Sequence, residues 1–139
     1  MLSLVADTNQ FLSGFIYHGM SKVVFDLVFD KKINLYISTV LKDEVLRKLQ
    51  EFGVSKNMQN EVMTFIETKG ILVEPTTRIT ECRDPEDNFL LELAETSRAD
   101  FLITRDRDLL DLPNHKWKTT KIIKPETFLP LLRDKKFID

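Results

Sequence analysis

The sequence predicts an α/β fold, a parallel sheet with helices on both faces. Three observations point there. Short apolar runs alternate with amphipathic segments from one end of the 139-residue chain to the other, the pattern of repeated β-α units. The apolar runs span only three to five residues, which suits strands buried on both faces. The composition is 42% hydrophobic and 30% charged, with 4 Gly and 5 Pro, which fits a compact chain rather than a disordered one. Residues 1–139 are expected to form one domain around one core, since the length leaves no room for two.

Residues 2–6 are the first strand candidate, and 11–17 a short apolar helix. Ser21 is placed to cap the helix KVVFDLVFDKK, in which Val24, Phe25, Val28 and Phe29 repeat at helical spacing. Residues 33–37 read as the second strand. Ser38 or Thr39 then caps a helix whose apolar stripe is Leu41, Val45, Leu49 and Phe52. Ser55 opens another, with Met58, Val62, Phe65 and Ile66 on one face and Gly70 as its stop. ILV at 71–73 is the third strand. The stretch CRDPEDNFLLELA starts a helix that runs to about Arg98. Asp84 suits its N-cap, Pro85 its first helical position and Glu86 a solvated first-turn charge. FLI at 101–103 is the fourth strand, and a short helix over 106–112 ends at Pro113. KII at 121–123 is the fifth strand, and Pro125 opens a last helix. No internal repeat, low-complexity tract or linker interrupts the series.

The formal net charge is −2 and the pI about 5.7. Overall charge is therefore not what would hold a polyanion, although a local basic patch is compatible with these values. Cys82 is the sole cysteine, which excludes an internal disulfide and fits a reducing compartment. No apolar run approaches the roughly 18 residues of a membrane span. The N-terminal MLSLVADTN has neither the basic flank nor the cleavage site of a signal peptide. A soluble, cytoplasmic protein is the expectation.

In parallel α/β sheets, ligands bind beyond the carboxyl ends of the strands. Asp7 directly follows the first strand, in VADTN, and Asp106 follows the fourth, in FLITRD, with Asp108 two residues on. Glu44 lies about two turns into the helix after the second strand, and Asp87 in the first turn of the helix that feeds the fourth. With the first and fourth strands adjacent, Asp7 and Asp106 face one crevice, and the two helix acids lean over it. Converging carboxylates raise one another's pKa, and a divalent cation relieves that conflict. Mg²⁺ or Mn²⁺ takes oxygen ligands and bridges carboxylates to a substrate phosphate, so metal-assisted phosphodiester hydrolysis is the chemistry to expect. His18 and His115 stand alone, which leaves no zinc cluster, and no Ser-His-Asp arrangement or P-loop is visible.

Each acid alone has an ordinary reading. Asp7 suits a turn or helix cap with Thr8 and Asn9. Glu44 suits a surface pair with Lys48 at i+4. Asp106 and Asp108 suit caps or solvated charges around Arg107. The combination says more, because independent accidents scatter acids over the surface, whereas Asp7 and Asp106 fall at the same end of two neighbouring strands.

Four pieces, VADTNQFLSGF, YISTVLKDEVLRKL, CRDPEDNFLLELAETSRADFLITRDRDLL and IIKPETFL, together resemble the PIN domain, a family of small metal-dependent nucleases. The likeness is closest to its VapC-type, toxin-associated branch and covers essentially the whole chain. The first and third pieces are the specific ones. The resemblance implies a three-layer α/β/α domain with a central parallel sheet of five (or four) strands. It maps the family's acidic site to Asp7, Glu44, Asp87 and Asp106, with Asp108 and Asp84 as accessories and Asp108 also among the metal ligands. Asn9 and Thr104 match polar positions that support the first and last acids by hydrogen bonding. The family binds Mg²⁺ or Mn²⁺ there and cleaves RNA, single-stranded or in exposed loops. Asp7 and Asp106 then serve as principal metal ligands, while Glu44 and Asp87 hold waters or a second ion. Lys42, Arg47, Lys48, Arg105 and Arg107 lie close in sequence to these acids and are candidates for holding the substrate backbone, ordinary solvated surface being the alternative.

In the toxin branch, a homodimer and an antitoxin protein are the implied partners. Apolar residues around 11–17 and 58–66 are candidates for those surfaces, and core packing is their alternative use. Three other readings compete: a PIN-like RNA-processing nuclease that is not a toxin, a non-catalytic partner-binding module, and a response-regulator receiver. The receiver shares Thr104 and Lys124-Pro125, but it needs an adjacent acidic pair where this chain has Asp7-Thr8. It also needs a phospho-accepting Asp where the third strand leads into Glu74-Pro75. A haloacid-dehalogenase-type phosphatase needs Asp-x-Asp, and Asn9 occupies the second acidic position.

Overall fold

The computed structural model describes residues 1–80, 84 and 87–134. The readings placed on Cys82, Pro85 and Glu86 lie outside these residues. Among the described residues, six strands form one sheet: β1 (Ser3–Ala6), β2 (Asn34–Ile37), β3 (Gly70–Leu72), β4 (Phe101–Ile103), β5 (Lys116–Trp117) and β6 (Thr120–Ile123). Their order is β3-β2-β1-β4-β6-β5, and every neighbouring pair is parallel except β5 with β6. Helices α1 (Thr8–Phe15), α2 (Met20–Phe29), α3 (Thr39–Glu51), α4 (Lys56–Lys69), α5 (Asn88–Ser97), α6 (Arg107–Leu110) and α7 (Pro125–Asp134) connect and follow the strands.

The five expected strands lie within a residue of their expected bounds. The sheet is larger than expected by β5, which is antiparallel and only two residues long. So short a strand offers no alternation to detect. It is made by a tight turn in which Lys118 adopts a left-handed conformation (φ 53). Ser21 does not cap α2, which begins at Met20 with Gly19 at its N-cap. The Ser21 hydroxyl is buried and donates instead to the side-chain carbonyl of Gln10, itself 2% exposed. Leaving that amide oxygen unpaired would cost more than an uncapped helix end. Ser38 and Ser55 do cap α3 and α4, each accepting a backbone N–H at 3.2 Å. Gly70 both ends α4 and begins β3. A Cβ there would meet Ile37 Cγ1 and the Ile66 carbonyl oxygen at 2.6 Å, so helix passes into strand without a loop only because the residue is glycine.

All four residues of β1 and all three of β4 are buried, as central strands covered on both faces should be. The connections from β1 to β2 and from β2 to β3 run one way across the sheet, and the connection from β3 to β4 runs back. Right-handed crossovers therefore put α1–α4 and α5 on opposite faces. Because β1 leads toward β2 and β4 leads toward β6, the two strands diverge, and their carboxyl ends bound the crevice where such sheets bind ligands. Among the described residues, no helix is long and apolar enough to cross a membrane.

Candidate metal centre

Asp7 leaves β1 and caps α1. Its backbone N–H continues the ladder to the Ile103 carbonyl at 3.1 Å, and its carboxylate accepts the Gln10 N–H at 3.1 Å. Asp106 leaves β4 and caps α6 in the same way, accepting the Asp108 N–H at 2.9 Å. The cap readings and the crevice readings thus coincide, because each cap sits at the carboxyl end of a central strand. Between them lies Thr104, fully buried. Its hydroxyl donates to the Asp7 carboxylate and accepts the Asp106 N–H at 2.9 Å. The expected support from Thr104 is therefore present. Asn9 supports Asp7 through its backbone N–H, and its side chain is exposed.

Asp87 stands at the entry to α5, with helical backbone angles and no side-chain cap bond. Asp87 occupies the N-cap position of α5, and the Asp84 carbonyl accepts the Asp87 N–H at 3.0 Å. Leu91 and Ala94 follow at helical spacing and are fully buried. The carboxylates of Asp84, Asp87 and Asp108 lie within 4.8 Å of one another. Asp84 is thus a closer neighbour of Asp87 than its reading as a helix cap foretold, and no local spacing signals this, since Asp108 arrives from another element.

Electrostatics tie these acids into one group. Burial pushes the Asp7 carboxyl above its ordinary value, and Asp106 adds to the rise, against hydrogen bonds from Thr104 and the Gln10 and Asn9 backbone. Asp87 is pushed up to about 8, first by burial, then by a hydrogen bond and charge repulsion from Asp106, then by Asp84 and Asp7. Among the described residues, Oδ2 of Asp87 is buried without a hydrogen-bond partner. The Asp87 carboxyl as a whole interacts with that of Asp106. A buried carboxylate oxygen among acids from three elements fits a hard cation with oxygen ligands, and it also fits a proton shared with Asp106.

The remaining candidates pair with other charges, and Glu44 is not among the acids that raise Asp7 or Asp87. Glu44 is on α3, on the solvent side of the stripe Leu41, Val45 and Leu49. It shares a concavity of about 350 Å³ with Val40, Arg47 and Phe89, the last of these two residues beyond Asp87. Its carboxylate pairs with Arg47, not with Lys48 as the spacing suggested, and Arg47 with the charge of Lys48 holds its pKa below the ordinary value. Arg47 also pairs with Glu51, Lys42 with Glu67, and Arg107 with Asp111. Arg105 pairs with Glu126 at the start of α7 and reaches Ser13 Oγ of α1 at 3.4 Å. That tie joins three elements, and no local pattern announces it.

A family model described as PIN domain matches residues 3–108. The chain belongs to the PIN-domain family. Among relatives of this PIN domain, an uncharacterised protein of Methanocaldococcus jannaschii is 32% identical over 117 residues, covering 80% of this chain and 75% of the relative. A chain from the crystal structure of VapBC2 from Rickettsia felis, bound to a DNA fragment from its promoter, matches with a TM-score of 0.58 at 13% identity. That match covers 88% of this chain and 98% of the other. The PIN domain of RRP44 from T. brucei matches with a TM-score of 0.54 at 12% identity, over 97% and 83% of the two chains. At these identities the two structures establish the PIN fold alone.

Proposed function

We propose that this PIN domain is a Mg²⁺- or Mn²⁺-dependent endoribonuclease that hydrolyses phosphodiester bonds in single-stranded or loop RNA. The observation that carries the reading is the Asp87 carboxyl, its Oδ2 buried without a hydrogen-bond partner among the described residues, beside the carboxyls of Asp84 and Asp108 and interacting with that of Asp106. Asp7, Asp87, Asp106 and Asp108 would hold the cation, with Asp84 and Glu44 completing the acidic set. When bound there, the ion supplies positive charge to phosphate oxygens and lowers the pKa of an attacking water.

The chain's own groups do the rest. Thr104 fixes the Asp7 carboxylate through its hydroxyl and sets the backbone at Asp106 through the bond it accepts. Glu44 is kept ionised by Arg47, the state in which a carboxylate orients a water or takes a proton from it. Arg47, Lys48, Arg105 and Arg107 meet the substrate backbone, Arg105 and Arg107 by exchanging their present acidic partners for phosphate oxygens.

The likeness to VapBC2 supports a further step, that the chain is the toxin half of a toxin–antitoxin pair acting in the cytoplasm. A groove of about 640 Å³ between α2 and α4, lined by Phe15, Phe25, Phe29, Met58 and Phe65, suits an apolar segment of an antitoxin. A homodimer is the working assembly. The similar match to RRP44 favours a second reading, an RNA-processing nuclease that is not a toxin. Growth arrest on expression in a host lacking an antitoxin separates the two. The metal centre itself is tested by calorimetric titration with Mn²⁺. The wild type should bind and Asp87→Asn should not, and a wild type that binds no Mn²⁺ would refute the centre.

A further inference from the structure

The sheet edge made by β5 and β6 is strongly basic. Residues 114–124, NHKWKTTKIIK, hold Lys116, Lys118, Lys121 and Lys124 and no acid, in a chain whose net charge of −2 leaves −6 for the remainder. The antiparallel register sets Lys116 directly opposite Lys121, and Trp117 opposite Thr120. Directly opposed residues share a face of the sheet with Cβ atoms about 5 Å apart, where like charges destabilise the pair. Both lysines are exposed, and neither forms an ion pair with a described residue. At the turn, the Lys118 ammonium lies 5.5 Å from the Trp117 ring centroid and 4.0 Å from Glu95, and the Trp117 N–H donates to Glu95 at 3.2 Å. Lysines commonly guard an open sheet edge. That duty does not require two of them face to face.

We propose that this hairpin binds the sugar–phosphate backbone of single-stranded RNA and holds the strand that leaves the acidic centre. The identity of the ligand rests on the nuclease reading, and position supports it. β6 lies beside β4, and the Thr104 N–H bonds to the Ile123 carbonyl at 3.0 Å, so Lys124 closes β6 at the sheet end that carries Asp106. Lys121 is three residues back, roughly 10 Å along the strand. A cluster of aspartates repels a polyanion, so affinity has to come from cations set to one side of it. Contacts of this kind hold a strand without reading its sequence.

The test compares the wild type with Lys116→Gln/Lys121→Gln. Binding of a long labelled polyuridine strand is followed by fluorescence anisotropy in EDTA at several salt concentrations. Cleavage of a trinucleotide too short to reach the hairpin is followed with Mn²⁺. The double variant should bind the long strand about tenfold more weakly, with the salt slope flattened by about 0.7 for each lysine lost, while trinucleotide cleavage stays unchanged. A second variant, Lys121→Glu, places opposite charges across the hairpin and should weaken binding further without lowering Tm. Unchanged affinity and slope overturn the proposal, as does a double variant whose only change is self-association, the sign of an edge guard. A wild type that cleaves RNA but binds it independently of these lysines sinks the hairpin site and leaves the nuclease reading intact. Lysine-dependent binding by a wild type that cleaves nothing does the reverse. A wild type that binds no RNA overturns this proposal outright.

Discussion

The side chains of Thr104 and Asp7 are joined across the two central strands, with the Thr104 hydroxyl donating to the Asp7 carboxylate at a fully buried position. The same hydroxyl accepts the Asp106 N–H, so one oxygen sets the orientation of two acids that lie 99 residues apart in the chain. Valine has nearly the shape of threonine but can neither donate nor accept. Thr104→Val should lose about 1–3 kcal/mol of stability, because the Asp106 N–H is left unpaired. It should also lower Mn²⁺ affinity or RNA cleavage by about 10- to 100-fold, the usual cost of removing support from a ligand. Thr104→Ser should restore most of both. Thermal melts and cleavage rates on the three proteins measure it.

Asp87→Asn separates folding from function. In metal-free protein, the substitution removes a carboxyl that Asp106, Asp84 and Asp7 all disfavour in its ionised form. The variant should be more stable than the wild type by about 1 kcal/mol, roughly 4 °C in Tm. Added Mn²⁺ should raise the Tm of the wild type and not that of the variant. A variant less stable than the metal-free wild type would contradict this.

The same group sets a pH dependence. The Asp87 carboxyl in the folded protein titrates at about 8, well above the ordinary 3.8, so the native state binds the proton more tightly than the unfolded state. Its contribution to stability is complete below about pH 4 and is lost as pH rises through about 8. Asp7, also raised, acts in the same direction. Glu44 and Glu126 are lowered, so their opposite contributions fall away only at acid pH. Metal-free protein should therefore lose Tm between about pH 5 and pH 9. Saturating Mn²⁺ should flatten that decline, because the ion takes the place of the proton.

Glu44→Gln tests the acid whose present partner is an arginine. If the exposed pair with Arg47 were all that Glu44 provides, the change would cost under about 1 kcal/mol and nothing else. The proposed function requires cleavage to fall by about tenfold or more with that small change in stability. Kinetics and a thermal melt on one preparation decide between these.

Much of the fold was legible because its signals are local. Three-to-five-residue apolar runs, the serine caps of α3 and α4, and an aspartate after each central strand all stand in the sequence as contiguous patterns. What stayed hidden depends on contacts between distant segments. Asp84 reads locally as a cap, and only the arrival of Asp108 from α6 draws it into the acidic group. Ser21 reads locally as a cap, and only the burial of Gln10 redirects its hydroxyl. The opposition of Lys116 and Lys121 needs the register of a hairpin too short to predict.

The central claim is that a cation held by the acids at the ends of β1 and β4 drives cleavage of RNA. The most direct measurement is cleavage of single-stranded RNA by the wild type with Mn²⁺, by the wild type with EDTA, and by Asp7→Asn with Mn²⁺. The account predicts cleavage in the first case and none in the other two. Cleavage that survives both chelation and the substitution would contradict it.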